Sequence, residues 1–511
     1  MTLAETSPRL RPDARASQAD SLLRPGDTCW RIARADRIAP IVDAADYFAV
    51  LKRALLKARH QVLLIAWDFD TRIRLEPARR EAGQPQKLGS LLSMLVRSRP
   101  DLRVHVLKWR LSVFQAAARG MVPLFLLDLR SGDRLQYRLA SDHPVGACHH
   151  QKIVVIDDAL AFCGGIDVTT DRWDTRAHHD SEHFRRRPGG ARYGPFHDVT
   201  MAVDGDAARA LGRLARDRWE SATGDRLPPP PAGSDPWPAD LTPLLRDLPV
   251  GIARTQPAYG DQPAAHEVET LWLEAIRSAR RCLYIEAQYL AGRSIAKALA
   301  ERLSEPDGPE IVVINPSEVS GWLEERAMGM ARDHILAALR GLDPGGRFGI
   351  YTPVTARGRG IFVHSKVLVV DDRLLRIGSS NINNRSMGFD TECDLAVEVP
   401  PDRPDSDTRR AALLDFRDGL AAEHLGCTVA DLRGAMAAAG GSLVAAIEAL
   451  RRRPGRTLVP LEADEVGVAE GFFVENELLD PERPRWPLQT LLHRVDWSWL
   501  NRRRRRASKP G

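Results

Sequence analysis

HQKIVVIDDALAFCGGID at residues 150–167 and HSKVLVVDDRLLRIGSSN at residues 364–381 are two copies of one pattern, 214 residues apart. Seven of the 18 positions are identical and most of the rest match in kind, so the chain repeats itself. In each copy the apolar run, IVVI or VLVV, reads as a buried strand that the Asp-Asp pair ends as a turn. Side chains two apart share a strand face, so His150 points with Lys152, and His364 with Lys366. Asp157 and Asp371 have the opposite parity, which suits them to hold the turn or neighbouring backbone. Gly164 and Gly378 permit close backbone approach, and Asp167 and Asn381 then offer polar side chains.

The repetition extends outward from the motifs. VLLIAWD (62–68) and CLYIEAQY (282–289) each follow a helical stretch, and RVHVLKW (103–109) and EIVVINP (310–316) are the next strand candidates. Downstream, DVTMAV (198–203) and ECDLAV (392–397) each place an acid ahead of an apolar strand. Strands alternating with helices predict α/β layers: two similar α/β/α domains with mixed sheets, related by a pseudo-two-fold axis, with the active site at their interface. The expected boundaries are a loosely ordered lead-in at 1–40, a first domain at 41–226, a Pro-rich linker at 227–240, a second domain at 241–427, and a helical and irregular end at 428–511.

Composition bounds the function. At 511 residues, with 43% apolar and 28% charged residues and a mean hydropathy of −0.30, the chain can bury a multi-layer core. No run approaches the ~20 apolar residues of a membrane span, and the N-terminus lacks the apolar stretch of a secretory signal. That leaves the cytoplasm, a peripheral position at a membrane, or a non-classical export route. Six cysteines without pairs or Cys/His ligand spacing argue against both zinc and a disulfide framework. The last eleven residues, with Arg502 to Arg506 and Lys509, carry +6 of a net +5, leaving −1 for residues 1–500. The body therefore lacks the broad basic footprint of a nucleic-acid enzyme.

Two His and two Lys converging from facing halves suit a phosphodiester. The lysines would neutralise its non-bridging oxygens. One neutral imidazole can attack phosphorus, and the other, protonated, can give its proton to the leaving alkoxide and later activate the acceptor. Positive charge then comes from the lysines, so neither a metal nor a cofactor is called for. The candidate catalytic set is His150, Lys152, Asp157, His364, Lys366 and Asp371.

At these residues the sequence resembles the phospholipase D superfamily, whose signature is H-x-K-x4-D-x6-G-[SG]-x-N. The copy from His364 through Gly378, Ser379 and Asn381 fits every fixed position, and the first departs only where Asp167 replaces Asn. DRWD (171–174), PFHDV (195–199), IEAQYL (285–290), GWLE (321–324), NINNRSM (381–387) and AEHLG (422–426) are similar to eukaryotic-type phospholipases D, whose counterpart of Asp171 is usually Gly. The likeness is to a minimal catalytic core, as in bacterial members. It implies that His150 is the nucleophile and His364 the general acid and base. It further implies that Lys152, Lys366 and Asn381 bind phosphate with Asp167 in the other Asn's place, and that Asp198 and Glu392 orient the imidazoles. His149 reads as a supporting residue or a solvent-facing one.

The activity so implied is hydrolysis of a phospholipid headgroup ester such as that of phosphatidylcholine, giving phosphatidic acid, or transfer to an alcohol. Water or an alcohol would be the acceptor, a phospholipid surface the partner, and a monomer the working form. A cardiolipin-synthase-type phosphatidyltransferase, a nuclease and a non-enzymatic scaffold are the alternatives. The first is disfavoured by the missing membrane helices, the second by the near-neutral body, and the third by two intact motifs. Trp486, Trp497 and Trp499 could insert at a membrane interface or pack in a core. The polybasic tail could hold anionic lipid at ~1 kcal/mol per residue.

Overall fold

The apolar runs flanking each motif become strands of one sheet in the computed structural model, which describes residues 21–79, 83–109, 132–317, 323–400, 404–462 and 480. The first half supplies β1 (Arg31–Val42), β2 (Gln61–Ala66), β3 (Arg103–Trp109), β4 (Leu135–Ala140), β5 (Ile153–Ile156), β6 (Leu160–Gly164), β7 (Phe196–His197) and β8 (Val199–Asp204). The second supplies β9 (Leu245–Gln256), β10 (Ala265–His266), β11 (Cys282–Glu286), β12 (Glu310–Ile314), β13 (Phe348–Val354), β14 (Phe362–Val363), β15 (Val367–Val370), β16 (Leu374–Gly378) and β17 (Glu392–Glu398). A last strand, β18 (Thr457–Pro460), adds to the edge at β13.

Strand order repeats between the halves. Outward from β1 run β8, β6, β5, β2, β3 and β4; outward from β9 run β17, β16, β15, β11, β12 and β13. In the first half four antiparallel pairings are followed by two parallel ones. The second half repeats that sequence of senses. The sequence predicts separate sheets in two domains, but β1 and β9 pair antiparallel from Arg31↔Ile252 to Ile38↔Leu245 and join all the described strands except β7 and β14 into one sixteen-stranded mixed sheet. Residues 31–40, read as a loose lead-in, thus lie in the middle of that sheet. Small Ala33 and Ala35 point inward between exposed Arg34 and Asp36, so the alternation carries little apolar signal.

Helices cover both faces. On the first half, α1 (Ala44–Leu55) and α2 (Leu88–Ser98) pack on one face, and α3 (Gly205–Thr223) on the other. On the second, α4 (Glu267–Ser278), α5 (Arg293–Leu303) and α6 (Leu323–Gly341) pack on one face. The short α7 (Asn384–Gly388) follows the second motif. The stretch after Pro400 forms α8 (Ser406–Leu425), α9 (Val429–Ala438) and α10 (Leu443–Leu450), the last two parted where Gly440 and Gly441 take positive φ. One apolar cluster runs under both halves, from Leu211 and Trp219 of α3 through Val250 and Leu395 to Leu420 and Ile447. The halves therefore share a core.

Residues 227–238 form no regular element, yet they are packed: Trp237 is buried, and Ser234 donates to Asp157 at 2.8 Å. All six cysteines are free thiols. Among the described residues no helix is long and apolar enough to cross a membrane. The tail tryptophans and arginines lie outside the described residues.

The motif aspartates act as the strand parity predicts. Asp157 accepts the backbone N–H groups of Arg59, His60 and Gln61 at 2.7 to 2.8 Å, and Asp371 those of Arg280, Arg281 and Cys282 at 2.8 to 2.9 Å. Each holds the turn leading into β2 or β11, with φ of 54° and 52° at the two aspartates. Neither touches the imidazoles, so they leave the catalytic set and become strand-entry clamps. Asp371→Ala strands three donors and is expected to cost about 3 kcal/mol, with Asp371→Asn, which keeps one acceptor, losing about half of that. Urea unfolding midpoints of the two variants check the ranking.

Candidate active site

Each motif histidine is tied by its backbone to the opposite half. The His150 N–H donates to Thr391 O at 2.9 Å, and the Thr391 N–H donates to Cys148 O at 3.0 Å. In the second copy β14 pairs parallel with β7, and the His364 N–H donates to His197 O at 2.8 Å. Thr391 and His197 immediately precede Glu392 and Asp198. The next residue in each case therefore delivers a carboxylate to the other half's imidazole.

That pairing is crossed. His150 Nδ1–H donates to both oxygens of Glu392 at 3.0 Å, and His364 Nδ1–H donates to Asp198 Oδ2 at 2.7 Å. Nε2 of each ring is left for chemistry. Burial alone would raise Glu392, but His150, Lys152 and the Ser379 hydroxyl offset it and hold the carboxyl below its usual range. Ser379 and Ser386 donate to Glu392 at 2.5 and 2.6 Å. Asp198 has less support, a 2.8 Å bond from the Val199 N–H, and burial pushes it up to about 7. Burial, with Lys366, Arg172, Lys152 and His150, pushes His364 well below its ordinary value. Burial thus disfavours the charged forms of both members of the second pair.

The lysines bracket this space. Lys152 Nζ donates to His150 O at 2.8 Å and stands 3.5 Å from Asp167. Lys366 Nζ donates to His364 O and to Gln288 Oε1, the latter at 3.2 Å. Burial and Lys152 push Lys366 down to about 7 against the pull of Asp198 and Glu392. Asn381 Oδ1 is buried without a partner, as fits a side chain aimed at a ligand. Asp167, expected in the place of the other phosphate-binding Asn, is buried beside Lys152, and its Oδ1 accepts the N–H groups of Trp67 and Asp68 at 3.1 and 3.2 Å.

Other residues at the site were not assigned roles by the sequence. Arg172 lies over the Phe196 ring at 5.0 Å, and Phe196 stacks on Phe362 at 5.6 Å and lies 5.5 Å from His364. Trp67 meets His150 edge-on at 6.3 Å. Ser379 stood inside the G-S-x-N signature and could have been found there; Arg172 and Phe196 carry no spacing signal. His149 is buried, bonded to Thr391 Oγ1 and Asp142, and pushed down to about 4 by burial. It is a neutral support, not a solvent-facing group. Among the described residues neither motif histidine belongs to a cluster of three or more potential metal ligands.

The family model for phospholipase D matches residues 350–439, which contain the second motif. Phospholipase D alpha 1 of Nicotiana tabacum is 26% identical over 513 residues, covering 73% of this chain and 63% of that protein. Phospholipase D A of Dictyostelium discoideum is 24% identical over 470 residues, covering 75% of this chain and 35% of that protein. The chain thus spans less than two thirds of the length of these relatives. The phosphatidylserine synthase of Haemophilus influenzae Rd KW20 shares the fold, with a TM-score of 0.50 at 12% identity over 80% of this chain and 90% of that one.

The geometry makes Gly165 a test point. A Cβ there would stand 2.0 Å from Asp198 Oδ1. Gly165→Ala should push Asp198 off His364 and lower turnover of a soluble phosphodiester by about a hundredfold, the share of a positioned acid-base group. Asp198→Asn should match it, with circular dichroism unchanged in both. Full turnover in folded Gly165→Ala would show that the Asp198 contact is dispensable.

Proposed function

We propose that this chain, which matches the phospholipase D family model at residues 350–439 and phospholipases D at 24–26% identity, is a member of that superfamily and cleaves the headgroup phosphodiester of glycerophospholipids such as phosphatidylcholine. Phosphatidic acid is the product with water as acceptor, and a transferred phosphatidyl group the product with an alcohol. The observation that carries the reading is the crossed pairing of two imidazoles with two buried carboxylates beside two lysines. The substrate phosphate is drawn between Lys152, Lys366 and Asn381. Its negative charge opposes the cations that hold His364 down, so binding raises the affinity of His364 for a proton.

His150, kept in one tautomer by the Glu392 carboxylate, attacks phosphorus with Nε2 and forms the P–N bond as the P–O bond to the headgroup breaks. His364 gives its proton to the departing alkoxide, then takes one from water or alcohol as that oxygen displaces His150. The phospholipid surface is the partner that presents the ester, and the working unit is a single chain.

Incubation with a defined phospholipid panel plus ethanol, read by mass spectrometry, tests the activity. Phosphatidic acid and phosphatidylethanol should appear together. Absence of both from every lipid, with a nucleic-acid or other diester cleaved, would overturn the lipid assignment.

The two histidines can be separated with leaving groups. His150→Ala should form no covalent adduct with any substrate. His364→Ala should fail with choline esters, whose alkoxide needs a proton, yet release about one equivalent of p-nitrophenol as a burst. Peptide mapping in mild alkali should then place the phosphoryl group on His150. An adduct on His364 in the His150 variant would reverse the assignment.

A further inference from the structure

Arg172 stands at the active centre without a carboxylate partner among the described residues, and the mechanism does not use it. It follows Asp171, whose backbone takes φ of 62°, and its guanidinium lies 5.0 Å from the centre of the Phe196 ring. That ring is 5.5 Å from the His364 ring, so Arg172 caps the aromatic wall on the proton donor's side of the site. Its charge acts on His364 less strongly than that of Lys366 and more strongly than that of Lys152.

The acids near it are engaged elsewhere. Asp171 gives both oxygens to Arg187 at 2.9 Å. Asp68 and Asp198 feel the Arg172 charge without touching it. Asp68 accepts from Lys108 at 2.5 Å and from Thr169 at 2.8 Å. Asp198 accepts from His364 at 2.7 Å and from the Val199 N–H at 2.8 Å. Arg172 itself donates only from Nη1 to the Asp171 carbonyl at 3.5 Å, and its Nε is buried without a hydrogen-bond partner. A buried donor left open on a cation is costly unless something outside the chain fills it.

We infer that Arg172 forms the subsite for the leaving headgroup and the incoming alcohol, and that it selects alcohols bearing an anionic group over quaternary ammonium alcohols. The inference rests on the phosphoryl transfer proposed above and narrows its substrate class, placing choline esters among the slower substrates.

In-line displacement puts the departing oxygen opposite His150 and beside His364, and the acceptor enters by the same path in reverse. The group carried by that oxygen therefore meets Arg172 and the Phe196–Phe362 stack, whose rings are 5.6 Å apart. A guanidinium offers a carboxylate or a phosphate two parallel donors. A quaternary ammonium has no acceptor to give in return. The Phe196 face that could hold it by cation–π attraction already holds a guanidinium. With no carboxylate between the two cations they repel, which is how a site rejects one alcohol in favour of another.

Three small alcohols of different charge test the subsite: 3-hydroxypropanoate, 1-propanol and choline. They are added together, at equal concentration, to wild-type enzyme turning over the p-nitrophenyl ester of a short-chain phosphatidic acid below its micelle concentration. Because p-nitrophenol leaves unaided, the ratio of transfer products by mass spectrometry reports the acceptor step alone. Transfer should fall from 3-hydroxypropanoate to propanol to choline, with about tenfold between the extremes, as suits one partly buried charge. Arg172→Gln should shrink that span to about twofold, whereas Arg172→Lys, which keeps the charge, should preserve the order.

Equal transfer to the three alcohols by the wild type, transfer to none, or a preference for choline would overturn the subsite without any variant. A folded Arg172→Gln enzyme with unchanged circular dichroism that keeps the wild-type ratio would overturn it too. Loss of transfer to all three in equal measure would do the same, by assigning Arg172 to the phosphate. Cleavage of the p-nitrophenyl ester with no natural phospholipid hydrolysed would overturn the lipid reading and leave this comparison standing.

Discussion

Everything at the centre of this molecule depends on an exchange: each half supplies the carboxylate for the other half's imidazole. The bonds are 3.0 Å for His150 to Glu392 and 2.7 Å for His364 to Asp198. Side-chain direction alternates along a strand, so a slip of one residue between halves would turn both carboxylates away. Register must therefore be fixed by something stronger than the pairs themselves. The β1–β9 ladder and the apolar cluster beneath both halves provide that, with the short β7–β14 pairing and the His149–Thr391 bridge refining it locally.

The repeat is symmetric in strand order but not in electrostatics, and one motif position contributes to the difference. Ser379 in the second copy gives Glu392 a hydroxyl donor, whereas the matching Gly165 leaves only room for Asp198 itself. Glu392 is held below its usual range by His150, Lys152 and Ser379, while burial raises Asp198 and, with the neighbouring cations, lowers His364. Two similar motifs are thus turned into unequal groups, which a two-step displacement requires: one partner attacks and the other handles the proton.

Much of this was legible because the repeat is covalent. H-x-K spacing placed the histidines and lysines, and strand parity removed Asp157 and Asp371 from contact with the rings. The acids at 198 and 392 were found through resemblance, but the crossing of partners was not, since sequence offsets do not say which half a side chain faces. The start of β1 was missed because the inward residues of its first half, Ala33 and Ala35, are alanines. The buried cluster of Asp43, His178, His197 and Glu423 left no trace in the sequence: its members come from four unrelated segments and meet only after the sheet closes.

Adhesion and specificity are divided between an apolar cluster and a buried polar network. The cluster under α3 and α8 to α10 is apolar and continuous, and it supplies association without demanding one register. The junction between the halves holds His178, His197, Glu286, Glu423 and both catalytic pairs, all buried except the partly exposed His150, where every mispairing strands a charge. Such groups add little net stability, but they penalise each wrong alignment heavily. The polar network is therefore the part that selects the one arrangement in which the crossed pairs meet, and the apolar core is what makes that selection tolerable.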